Sequence, residues 1–281
     1  MGQTTTIFPQ AKKIYRTIFH SPTIDRFVQT ILNSSTSFAA TILGWSFPKK
    51  FNWDWKLEML LHRYERETVM LFQKMIKPGM CIVDIGAHIG YYTVLFSKMV
   101  GPNGRVIAFE ADPDNFALLQ KNTRTLSNVV LVNKAVTDQN GSIDFYKINN
   151  STGCHSIIAP TLASTKTTVP AVTLDAFLEN GAYPNIDTIK IDIEGGEPSA
   201  FRGMKKLFAA SHPLQIVSEF NPAALTAAKV APLDFLKSVQ ESGFVIYPIT
   251  DSTEPAVPLT LEKPPSLSFY QTGYANLLLK K

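Results

Sequence analysis

"VDIGAHIGYYT", residues 83–93, joins an apolar run ending in Asp84 to two glycines, Gly86 and Gly90, and then to a helical pattern. A short buried strand, a glycine turn and a helix are the opening unit of an open α/β sheet, whose ligands bind at the carboxyl ends of the strands. Gly86 permits a tight turn or a close backbone approach. The N–H groups that open the next helix can receive a carboxylate or a phosphate. A dinucleotide loop of the G-x-G-x-x-G kind would place a glycine where His88 stands, so the loop poses the question of which cofactor it holds.

The text on either side alternates in the same way. "RVIAFEA" (105–111) reads as a second strand, and "DPDNFALLQKNTRTL" as a helix with Asp112 at its N-cap and Pro113 at its first turn, where the missing N–H costs nothing. "NVVLVNKAV" (128–136), "IDTIKIDIE" (186–194) and "LQIVSEF" (214–220) read as further core strands, and "GSIDFYKI" (141–148) as an edge strand or hairpin arm. "TLDAFLEN", "PSAFRGMKKLFAAS" and "PLDFLKSVQES" read as helices. The last two strands, "GFVIYPI" and "YANLLLKK", are separated by a Pro-rich loop (251–266) with no helix. Without a crossover helix they cannot be parallel neighbours, so the final strand is expected to run antiparallel. The expected fold is α/β: a Rossmann-like, mostly parallel seven-stranded sheet with an antiparallel last strand, helices on both faces and an N-terminal helical extension.

In that extension, residues 10–33 have apolar positions at helical spacing (Ile24, Phe27, Val28, Ile31 and Leu32), and "LEMLLHRYERETVMLFQKMI" (57–76) reads as a second helical region closed by Pro78-Gly79. All three tryptophans, Trp45, Trp53 and Trp55, fall between them, where packing is a simpler role than a sugar platform. The chain has 281 residues, 18% charged, with a net charge of +4 and a mean hydropathy of +0.03. No Lys/Arg run forms a basic patch, so nucleic acid is not an expected partner. Cys81 and Cys154 make neither a disulfide framework nor a zinc pattern, which points to a reducing, cytoplasmic setting. Residues 27–48 are too polar for a membrane span. "MGQTTT" fits the loose myristoylation pattern, but an ordinary start is preferred.

The chemistry gathers at strand ends. Glu110 closes the second strand, where a carboxylate can accept hydrogen bonds from both ribose hydroxyls, a feature shared by dinucleotide and S-adenosylmethionine enzymes. In "KIDIEGGE", strand alternation sends Lys190, Asp192 and Glu194 to one face. Charges on a buried strand need a partner or a task, so Asp192 and Glu194 are candidate catalytic groups. His155, in "GCHS", is a second candidate base. Asp192, Glu194 and Glu219 could converge as oxygen ligands, but nothing in the spacing demands a metal and none is assigned. Two other readings stay open on these residues alone: an NAD(P)-dependent oxidoreductase and a non-catalytic binding module.

"VDIGAHIGYYT", "AFEADPDNFALLQKN", "NKAV", "VTLDAF", "IKIDIEGGE" and "IVSEF" resemble, in order and spacing over about residues 62–225, the FkbM-type methyltransferases. The resemblance implies a class I, S-adenosylmethionine-dependent O-methyltransferase domain at residues 61–281. It also implies acceptors among sugar, glycan or natural-product hydroxyls. It implies that Asp84, Gly86, Ala87 and Gly90 hold the methionine part of the cofactor and that Glu110 binds the ribose, with Ala111 beside the adenine. Asn133, Lys134 and Ala135 would lie on the adenine side, Asp192 and Glu194 between cofactor and acceptor, and Glu67 near the cofactor's amino group. His88 departs from the asparagine usual at its place and is expected to line the methionine end or cap the helix. Residues 1–60 lie outside the resemblance and are read as a substrate or oligomer segment, a candidate homodimer contact.

Overall fold

The computed structural model describes residues 22–49, 51–149, 153–159, 163–181, 183, 185–210, 212–249, 257–261 and 274–281. The expected helix at 10–21, most of the Pro-rich loop and Gly2 lie outside them. The chain divides into two compact units, Met1–Arg66 and Glu67–Lys281.

In the first unit, helix α1 (Pro22–Ile42) continues nine residues past the expected end at 33. It pairs with α2 (Trp53–Leu60): the Trp53 indole donates to Gln29 Oε1 at 2.8 Å and the Lys56 ammonium to Ser37 Oγ at 3.0 Å. Trp45, Phe47, Phe51, Trp55 and Tyr64 form a run of ring contacts with centroids 5.5–6.0 Å apart, so two of the three tryptophans are spent on internal packing. The expected single helical region 57–76 is broken. His62 and Glu65 take positive φ (53° and 45°), and α3 (Arg66–Met75) starts afresh.

The second unit is built on a seven-stranded sheet. Its strands are β1 (Cys81–Ile85), β2 (Arg105–Phe109), β3 (Val129–Val132), β7 (Thr188–Ile191), β8 (Gln215–Phe220), β9 (Val245–Pro248) and β10 (Ala275–Lys280). The order is β3-β2-β1-β7-β8-β10-β9. All pairs are parallel except those of β10, which runs antiparallel to both β8 and β9, as the absence of a crossover helix required. Helices α4 (Tyr91–Val100) and α5 (Pro113–Thr123) connect strands that step one way from β1. Helices α7 (Glu197–Arg202), α8 (Lys205–Ala209), α9 (Pro222–Ala227) and α10 (Pro232–Glu241) connect strands that step the other way. With right-handed crossovers, the two groups cover opposite faces, and the direction reverses between β1 and β7. That reversal leaves a crevice at the carboxyl ends of β1, β2, β7 and β8. The core beneath is aliphatic and aromatic: Val83, Ile107, Ile189, Ile216, Phe220 and Leu277 are all fully buried.

A second sheet is built from β4 (Ala135–Val136), β5 (Gly141–Ile148) and β6 (Ser164–Val172), in the order β4-β6-β5. The expected strand 128–136 divides, because β4 (Ala135–Val136) leaves β3 to join β6 (Ser164–Val172). The hairpin arm β5 (Gly141–Ile148) finds its antiparallel partner in β6, a strand the sequence pattern did not reveal. Helix α6 (Leu174–Gly181) follows. The expected helix 198–211 is two helices broken at Gly203, where a Cβ would lie 2.1 Å from the Thr137 carbonyl oxygen.

Candidate functional site

Three strand exits meet in the crevice. The first is the β1 loop. Gly86 and Ala87 both donate their N–H to the Phe109 carbonyl, at 3.0 and 2.9 Å, which ties this loop to the end of β2. Gly86 has φ 82°, and a Cβ there would stand 1.9 Å from the Asp192 carbonyl oxygen. The β1 and β7 exits therefore interlock, and only glycine fits between them. The Asp192 N–H closes the same contact onto the Ile85 carbonyl at 3.1 Å.

His88 stands where a dinucleotide loop has glycine, and the structure gives the reason a histidine serves. Residue 88 has φ 52°, in the left-handed region that glycine enters freely and that Asn, Asp and His enter more readily than other residues. Burial pushes the His88 imidazole down to about 4, so it is neutral at physiological pH. Gly90 (φ 93°) is the N-cap residue of α4.

The second exit is that of β2. Glu110 is buried, and each of its carboxylate oxygens accepts a backbone amide: Oε2 from His88 at 2.7 Å and Oε1 from Asp112 at 2.8 Å. One side chain thus fastens the β1 loop to the N-terminus of α5. Burial pushes its acid up to about 7, even though both amides favour the ionised form. Asn133 donates to the carbonyls of Glu110 and Ala111 at 2.8 and 3.2 Å. Ala111 packs into the cluster formed by Ala135, Phe145 and Val169, so these two sequence-predicted alanines share a wall.

The third exit follows β7. The strand ends at Ile191, so Asp192 and Glu194 sit on the loop beyond it instead of on the strand. Glu194 has φ 52°. The oxygens of Asp192, Glu194 and Glu219, the last on β8, lie within 4.8 Å of one another. The buried Lys190 ammonium is 3.1 Å from Asp192 Oδ2 and 4.9 Å from the centre of the Tyr92 ring. Burial, with the neighbouring Asp192 and Glu197 carboxylates, raises the Glu194 acid well above the usual range. Glu197 was not singled out in the sequence, yet it is almost fully buried and accepts the N–H groups of Ile193 (3.1 Å) and Gly195 (3.0 Å). It holds the Asp192–Glu194 loop as Glu110 holds the β1 loop. Its only sequence signal is an acid at a helix start, a common and unspecific one.

Asp84, at the end of β1, is fully buried. Thr93 donates to its Oδ2 at 2.6 Å, while its Oδ1 has no hydrogen-bond partner among the described residues. Burial raises its acid and Lys190 opposes that shift. His155 lies on the segment beyond β5. Its Nδ1 accepts the Ile148 N–H at 3.0 Å and its ring meets Phe145 edge-on, on the Ala111–Ala135 wall. The adjacent Ser156 hydroxyl donates to the Glu194 carbonyl at 2.8 Å, and Cys154 hydrogen-bonds the Glu194 side chain. Lys134 is exposed. Glu67 is exposed in the first turn of α3, and no hydrogen bond or ion pair among the described residues links it to the three loops.

The family described as "Methyltransferase FkbM domain" matches residues 84–246, more than half of the chain. The chain belongs to the FkbM methyltransferase family. Among its relatives is the hexuronic acid methyltransferase AglP of Haloferax volcanii, 26% identical over 152 residues, 53% of this chain and 59% of AglP. The chain thus spans less than two thirds of that relative's length. The 2-O-methyltransferase NoeI of Sinorhizobium fredii is 24% identical over 63% of this chain and 78% of NoeI. Among solved structures, a methyltransferase FkbM from Methylobacillus flagellatus aligns with a TM-score of 0.45 at 13% identity, over 92% of this chain and 60% of that one.

The cofactor of the FkbM methyltransferases is S-adenosylmethionine. The residues present fit it. The buried, half-satisfied Asp84 carboxylate and the acids beyond β7 suit a ligand with two cationic centres, an ammonium and a sulfonium. Glu110 keeps further lone pairs for a ribose diol, since each oxygen accepts only one amide. The start of α4, where the N-cap is a glycine, presents backbone N–H groups that suit a carboxylate. With no pyrophosphate to approach, the loop needs no glycine at 88, and the oxidoreductase reading falls away.

Proposed function

We propose that this FkbM chain is an S-adenosylmethionine-dependent O-methyltransferase that acts on a hydroxyl of a sugar or glycan. The observation that carries the reading is the convergence of Asp192, Glu194 and Glu219, next to the point where the Asp192 carbonyl interlocks with Gly86 of the β1 loop. The names of AglP and NoeI support a sugar acceptor. In this reading Asp84, Gly86, Ala87, His88 and Gly90 surround the amino-acid end. Glu110 takes the ribose, and Ala111, Asn133 and Ala135 border the adenine.

Bound S-adenosylmethionine supplies an electrophilic methyl group whose leaving group is a neutral thioether. The protein's tasks are alignment, exclusion of water and removal of one proton from the acceptor. Glu194 is the proposed base: its raised acid is matched to accepting a hydroxyl proton near neutral pH, and it passes that proton to solvent after transfer. Asp192, paired with Lys190, orients the hydroxyl. His155 is the weaker candidate. The Ile148 N–H that its Nδ1 accepts leaves Nε2 carrying the proton in the neutral ring, so it is a donor there and not a base.

The test is transfer of a labelled methyl group to a panel of uronic acid and hexose glycosides. Wild type yields a methyl ether, stable to mild alkali, and Glu194→Gln reduces turnover by about 100-fold or more. An alkali-labile methyl ester, whose carboxylate acceptor needs no base, overturns the proposal. So does a Glu194→Gln variant with normal turnover.

A further inference from the structure

We infer that helix α1 is a peripheral membrane-docking element that lies on an anionic lipid surface. Half-buried or buried positions are 28, 29, 32, 33, 36, 39 and 40, the face that carries the Gln29–Trp53 bond and sits against α2. At 100° per residue the opposite side is centred on residues 27, 31, 38 and 42, which fall within an arc of about 60°. These are Phe27, Ile31, Phe38 and Ile42, exposed to 66%, 48%, 70% and 69%. Leu43, directly after the helix, is 61% exposed. Five of the nine large hydrophobic side chains exposed among the described residues therefore belong to this one segment. From Phe27 to Ile42 the stripe runs about 22 Å. A contiguous apolar stripe of that kind marks an interaction surface, unlike singly scattered residues.

The chemistry around the stripe selects the occupant. No charged residue occurs between Phe27 and Pro48. The polar residues beside the stripe are Thr30, Ser34, Ser35, Ser37 and Thr41, and the Thr30 and Thr41 hydroxyls donate back to the Arg26 and Ser37 carbonyls at 2.8 and 3.0 Å. Hydroxyls satisfied by their own helix cost little to bring into a headgroup layer. The charge lies at the two ends of the stretch. Residues 1–50 contain six basic side chains (Lys12, Lys13, Arg16, Arg26, Lys49 and Lys50) and one acidic side chain, Asp25, a net of +5. The whole chain is +4, so the remainder is slightly negative and the basic excess is confined to the segment bearing the apolar stripe. An uncharged apolar stripe on a segment whose sequence carries cations on either side matches an anionic bilayer, where burial of the stripe and attraction to the headgroups add. No helix among the described residues is long and apolar enough to cross a membrane, which leaves lying on the surface as the geometry for α1.

The test is flotation of the full chain with vesicles of phosphatidylcholine alone and with about a third phosphatidylserine. Wild type should bind the anionic vesicles at least about tenfold better, and high salt should release it. Phe38→Ser/Ile42→Ser should lower the bound fraction by about tenfold while its S-adenosylhomocysteine affinity, measured by calorimetry, stays unchanged. Equal binding by wild type and the double variant would overturn the proposal, because the basic residues alone would then suffice. Failure of wild type to float on either vesicle would overturn it too. So would wild type sedimenting as a dimer that the double variant loses, since the stripe would then be a contact between two copies.

Discussion

Replacing Glu110 by Gln keeps the shape of the side chain and removes one acceptor. The native carboxylate takes the His88 amide on one oxygen and the Asp112 amide on the other. A glutamine has a single oxygen, so its NH2 group must face one of these two N–H donors. A buried donor left unsatisfied costs about 1–3 kcal/mol. A ribose hydroxyl that loses its charged acceptor forfeits a further ~1.5–3 kcal/mol, which weakens the Kd for S-adenosylhomocysteine by roughly 10- to 100-fold. The pH dependence gives a second signature. Burial raises the Glu110 acid from 4.5 to about 7. Its folded-state value exceeds the unfolded one, so between those two pH values the native state holds the extra proton. Stability of the empty protein therefore falls as pH rises through this window, by about 3 kcal/mol in all, and levels off above it. Cofactor affinity runs the other way: it strengthens as Glu110 ionises, by up to about tenfold per unit below pH 7. Calorimetric titration with S-adenosylhomocysteine at several pH values, on wild type and Glu110→Gln, reads both effects. A variant that binds within twofold of wild type and keeps the same pH slope would show that Glu110 does not hold the ribose.

Substitutions at three other positions test the neighbouring loops. Gly86→Ala combines a left-handed φ, worth about 1–2 kcal/mol, with a Cβ that forces the Asp192 carbonyl back by more than about 1 Å. Methyl transfer should fall about 100-fold, and turnover within threefold of wild type would show that the interlock is unimportant. Lys190→Met leaves Asp84 and Asp192 without their buried cation and should cost about 3–5 kcal/mol in urea unfolding; an unchanged midpoint would contradict the ion network. His88→Asn should keep stability and kcat/KM within about threefold, whereas His88→Val should lose about 1–2 kcal/mol. A large loss for Asn alone would restore a chemical role to the imidazole.

Much of the fold, and where the candidate site lies on it, is legible before any coordinates. The β1, β2, β7 and β8 runs are apolar because a parallel sheet is covered on both faces, and Asp112-Pro113 states a helix start outright. Glu110, Asp192 and the antiparallel last strand follow from position alone. What escapes does so for identifiable reasons. β6 reads "STKTTVPAV", polar and interrupted by Pro170, because it joins β4 only at Ala171 and Val172 and has an open side before them. The break near His62 and Glu65 uses positive φ at non-glycine residues, which no Gly or Pro announces. His88 reads as an imperfect glycine until its φ is known. Glu197 becomes a loop clamp only through the fold that brings the amides of Ile193 and Gly195 to it.

A crystal structure with S-adenosylhomocysteine would show which residues hold the cofactor. Both ribose hydroxyls should lie on Glu110, the amino-acid end between Asp84 and the start of α4, and the sulfur facing the Asp192–Glu194 loop. Binding outside the β1, β2 and β7 exits, or a ribose turned away from Glu110, would contradict it.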